Sequence, residues 1–66
     1  MDTREARKQI GDIRLSFISS NINATEAITQ LQSIDLELVE ENPMVPKESL
    51  HAAYNNTLEF FKSKEV

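Results

Sequence analysis

The sequence predicts an all-α protein, a three-helix antiparallel bundle in which residues 1–66 form a single domain. Three observations carry that expectation. Apolar residues recur at three- and four-residue spacing instead of alternating, which is the pattern of amphipathic helices and not of strands. The chain holds one glycine, Gly11, and two prolines, Pro43 and Pro46, so little interrupts the periodic stretches. Turn-forming clusters divide the apolar pattern into helices over about 3–20, 24–41 and 46–64.

In the first segment Ala6, Ile10, Ile13 and Phe17 follow a spacing that keeps one stripe on one helix face. Asp2 and Glu5 stand where the positive end of the helix dipole favours anions. The helix should stop near Ser20 or Asn21, because Ser19-Ser20-Asn21-Ile22-Asn23 is rich in cap and turn formers and Asn21 tolerates the left-handed region. Gly11 inside the helix costs about 1 kcal/mol relative to alanine, which suggests a close approach to the backbone there.

Asn23 followed three residues later by Glu26 reads as a capping box opening the second helix, with Ile22 placed to staple against Ala27. Its apolar face runs Ala27, Ile28, Leu31, Ile34 and Leu38, with Val39 at the margin. Asn42-Pro43 ends it, since a residue before proline avoids the helical region. Pro46 suits the first position of the third helix, and Glu48 lies in its first turn. The third stripe is Leu50, Tyr54, Leu58 and Phe61, and Lys62 and Lys64 fall at the carbonyl end, where cations are favoured. Both connections are short, about four residues, so consecutive helices should pack antiparallel.

A chain of 66 residues has room for one thin core. It has no cysteine, which removes disulfides and thiolate zinc sites as staples. No apolar run is long enough for a membrane span or a signal peptide, and the chain reads as cytoplasmic. With 11 acidic and 7 basic side chains the net charge is −4, which disfavours nucleic acid and favours a partner with a basic surface. A three-helix DNA-binding domain is the weakest alternative: Arg4, Arg7, Lys8 and Arg14 lie on the first helix, whereas the third, the usual reader, has its lysines offset by Glu48, Glu59 and Glu65.

No residue pattern supports an enzyme, a cofactor or a metal. His51 is the sole histidine and has no partner for acid–base or nucleophilic work. The serines lack a glycine-rich elbow, and the paired carboxylates lack a calcium loop. Asn23-Ala24-Thr25 and Asn55-Asn56-Thr57 match the glycosylation pattern but carry no weight in a cytoplasmic chain.

Several apolar residues fall off the helical stripes: Leu15, among Arg4, Lys8 and Asp12, together with Ile18, Leu36, Met44, Val45 and Phe60. One reading has them cover the ends of the core; the other makes them a contact patch. Asp35 sits inside the apolar arc of a helix over 24–41, so burial there would require a partner, with Arg14, Arg7 or His51 as candidates. Asp35, Glu37, Glu40 and Glu41 put four carboxylates where the dipole of such a helix disfavours them.

Two expectations about function follow. The first is a non-enzymatic interaction module, a regulator, inhibitor or immunity-type factor, that binds a basic protein through Leu15, Leu36, Glu37, Glu40, Glu41 and Phe60. The second is a structural homo-oligomer or assembly subunit burying the same apolar residues between copies.

Overall fold

A computed structural model describes residues 1–65. Three helices, α1 (Thr3–Ile18), α2 (Ala24–Gln32) and α3 (Lys47–Lys64), pack against one another, and a single 3-10 turn, Leu36–Leu38, lies between α2 and α3. The predicted all-helical three-helix bundle is what forms, with no strand among the described residues beyond isolated bridges.

The start signals of the first two helices act as expected, whereas Pro46, expected at the first position of the third, stands one residue before it. The Asp2 carboxylate caps α1 by accepting from the Glu5 N–H at 2.9 Å. Asn23 and Glu26 form the reciprocal capping box of α2, with bonds of 2.8 and 3.3 Å. α1 ends in a Schellman turn: Asn21 N–H donates to the Ser16 carbonyl and Ser20 N–H to that of Phe17. The left-handed residue in that turn is Ser20, with φ 64°, and not Asn21. Pro46 is the residue before α3, and because it offers no capping side chain, the Glu41 carboxylate accepts from the Lys47 N–H at 3.0 Å instead.

The second helix departs from expectation. It stops at Gln32, about half-way along the stretch 24–41. Ser33 takes the C-cap, its hydroxyl donating to the Gln30 carbonyl at 2.6 Å. The Asp35 carboxylate then accepts from the Glu37 N–H at 3.0 Å, and the Asp35 carbonyl accepts from Leu38 N–H, which fixes the 3-10 turn. This break resolves two conflicts at once. A continuing helix would bury Asp35 and set four carboxylates against its own carbonyl end. With the break, Asp35 is exposed and bonded within its own turn, so it is neither buried nor dependent on Arg14, Arg7 or His51. The reset of phase also exchanges two neighbours: Val39 is 3% exposed and belongs to the core, whereas Leu38 is 76% exposed.

The core consists of Ala6 and Ile10 from α1, Ala27 and Leu31 from α2, Ile34 and Val39 from the connection, and Leu50 and Phe61 from α3. Phe17 meets Phe60 and Phe61 edge-on, with ring centroids 5.8 and 5.2 Å apart, so α1 and α3 end at the same pole. The Thr25 hydroxyl reaches the Glu65 carboxylate, which puts the start of α2 at that pole too. Thus α1 and α3 run parallel and α2 antiparallel to both. With nine residues α2 is about 13 Å long against about 27 Å for the 18 residues of α3, so residues 33–42 complete the return leg.

At the opposite pole a polar clip joins the N-terminus to that return leg. Thr3 N–H donates to the Glu40 carbonyl at 2.9 Å and Glu40 N–H to that of Met1 at 3.0 Å. The fully buried Thr3 hydroxyl donates to the Val45 carbonyl at 2.6 Å and accepts from Asn42 N–H at 2.9 Å. The Asn42 amide donates to Asp2 at 3.0 Å. The Glu5 N–H and then the Asn42 amide hold the Asp2 carboxyl below its usual pKa. Gly11, by contrast, has open space where a Cβ would stand, so among the described residues no other element packs against it there.

Candidate protein-binding surface

The residues singled out in the sequence separate into two groups. Leu15, Glu37 and Glu40 are exposed, as a contact surface requires, and Leu15 retains 62% of its accessible area. Leu36 is half-buried against the core cluster, because the break after Gln32 turns it inward, so it offers less surface to a partner than Leu15. Phe60 is likewise half-buried, packed on Phe17 and Phe61, with the Arg14 guanidinium 5.0 Å and the Lys64 ammonium 5.8 Å from its ring centre. It closes one end of the core, and Arg14 serves as a cationic cover for the ring instead of a partner for Asp35. Glu41 is exposed but committed to capping α3. His51 is exposed on α3.

What sequence reasoning missed lies in the connection between α2 and α3. Leu38 was expected on the buried stripe and is exposed, and Met44, noted only as an off-stripe loop residue, is 84% exposed. Asp35, Glu37, Glu40 and Glu41, in the same stretch of chain, are all exposed. The signal for this arrangement was Asp35 itself. A carboxylate in phase with an apolar stripe marks the end of a helix as readily as a buried ion pair.

This acidic stretch is held in shape by backbone and side-chain bonds at both ends. Asp35 fixes the 3-10 turn, the Met1–Thr3 backbone pairs with Glu40, and Asn42 organises the following turn by accepting from Met44 N–H at 2.8 Å and Val45 N–H at 2.9 Å. Leu38 and Met44 are therefore exposed on an ordered acidic ridge of chain, residues 35–44. The opposite type of surface lies on α1, where Arg4, Lys8, Leu15 and Ile18 are exposed and Ile18 retains 60% of its area.

Among the described residues no pocket opens, no group of three or more His, Cys, Asp or Glu side chains converges as metal ligands would, and no helix is long and apolar enough to cross a membrane. Comparison with protein families, with characterised proteins and with solved structures gives no match to the chain.

Proposed function

We propose that this protein is a non-enzymatic interaction module, acting in the cytoplasm, that binds and regulates another protein through the acidic ridge of residues 35–44. One observation carries the reading: two large apolar side chains, Leu38 and Met44, stand exposed within a stretch bearing four exposed carboxylates. Removing such side chains from water on docking supplies affinity at the centre of a contact. Glu37 and Glu40, whose side chains have no structural task among the hydrogen bonds described, steer a basic partner and favour fast, salt-sensitive association. Methionine adapts its shape to an uneven counterpart. The clip to the N-terminus supports the same reading, because a ridge already ordered loses less conformational freedom when it docks.

The test compares immobilised wild-type chain with two variants, Leu38→Ser and Glu37→Lys/Glu40→Lys, after circular dichroism and thermal melts have established that each is folded. A protein retained by the wild type should be lost from both variants and should elute as salt is raised. Recovery of the same proteins by all three chains would overturn the role of the ridge.

A further inference from the structure

The ridge leaves a question of what basic, partly apolar surface it fits, and one such surface is present on the molecule itself. Arg4, Lys8, Gly11, Leu15 and Ile18 are spaced by four, three, four and three residues, so they form one stripe along α1. That stripe lies on the side of the helix away from Ala6 and Ile10, which are buried in the core, and all five residues are exposed. Its first half is cationic and its second half apolar. At its middle, Gly11 presents bare backbone with open space around it. Among the described residues nothing covers this face, although Leu15 and Ile18 each leave more than half of their area in water.

We infer that the outer face of α1 receives the acidic ridge of a second copy of this chain, forming a reciprocal two-fold dimer. This rests on the reading of residues 35–44 as a docking surface and identifies the basic surface that it meets. Complementarity of charge and of apolar content is the argument: Glu37 and Glu40 meet Arg4 and Lys8, and Leu38 and Met44 cover Leu15 and Ile18. Gly11 allows the incoming segment to approach the helix backbone closely. The two surfaces also adjoin within one molecule, since Glu40 is hydrogen-bonded to Thr3, the residue before Arg4. A two-fold axis beside them therefore satisfies both contacts together, and the assembly closes at two copies instead of extending.

Sedimentation equilibrium of the full chain over about a hundredfold range of concentration tests this. The expected result is a mass rising from one to two copies, with the dimer weakened by salt. Arg4→Glu/Lys8→Glu and Glu37→Lys/Glu40→Lys should each be folded and monomeric, because each places like charges across the contact. Mixed in equal amounts, they should form a dimer, since one contact then keeps its native charges and the other is restored with its signs reversed. A wild type that stays monomeric, or a mixture that fails to associate, overturns the inference. The ridge as a surface for a foreign protein would survive that result if Glu37→Lys/Glu40→Lys still loses a captured partner, and would fall with it if that variant loses none.

Discussion

Thr3 is the residue on which the polar organisation of one pole depends. It is fully buried, and its hydroxyl is both donor to the Val45 carbonyl and acceptor from the Asn42 N–H. Valine has nearly the same shape but can do neither, so Thr3→Val leaves two part-buried backbone groups short of a partner. The expected cost is about 1–3 kcal/mol, seen as a lower urea midpoint, whereas Thr3→Ser should retain most of the stability. A midpoint unchanged by valine would mean that the loop finds other partners and that the clip contributes little. The position was legible in part. Thr3 is in phase with Ala6 and Ile10, so the apolar stripe of α1 extends back to it, but a threonine on a core face gives no hint of which distant backbone groups it will bind. Those groups, at Asn42 and Val45, are fixed only by the path of the chain between α2 and α3.

At the scale of elements, the caps and turns written in adjacent residues were readable, and the length of α2 was not. Asp2, the Asn23/Glu26 box and the lysines at the end of α3 act locally, through bonds and fields within a turn or two. The stop at Gln32 is set by a balance that periodicity alone does not weigh. The apolar pattern continues through Ile34 and Leu38, but so do Asp35 and the carboxylates after it, and their burial and dipole costs exceed what another two helical turns would return. The consequence is measurable at neighbouring positions. Leu38→Ser should change stability by less than about 0.5 kcal/mol, as expected for an exposed site. Val39→Ala should cost about 1–3 kcal/mol for lost burial and the cavity left behind. Urea midpoints of the two variants decide between the structures, because a helix continuing through this stretch would put Leu38 inside and reverse their order. The same shift in phase explains why Leu36 turns toward the core while Leu38, assigned to the core, is exposed; Phe60 is half-buried for a different reason, its packing on Phe17 and Phe61.

For the whole molecule, the deciding quantity is how little core there is. The described residues extend 37 × 17 × 16 Å, an elongated body only two helix diameters thick, and no disulfide is available to supplement packing. A single core in a chain of this length supplies a net stability of no more than about 3–5 kcal/mol. Phe61 is its largest fully buried side chain and joins the aromatic cluster to the centre of the bundle. Truncation of a buried phenylalanine to alanine costs about 3–5 kcal/mol, which is comparable to the entire stability. Phe61→Ala should therefore be largely unfolded at room temperature, with low far-UV ellipticity and collapsed amide dispersion in NMR spectra. Phe60→Ala provides the comparison, because that ring is half-buried and loses mainly an edge-to-face contact and its cationic cover, about 1–2 kcal/mol. It should remain folded with a lowered midpoint. If Phe61→Ala instead keeps a cooperative transition near that of Phe60→Ala, the aromatic pole is not where the stability resides, and the hydrogen-bonded clip at the other pole must hold the helices together.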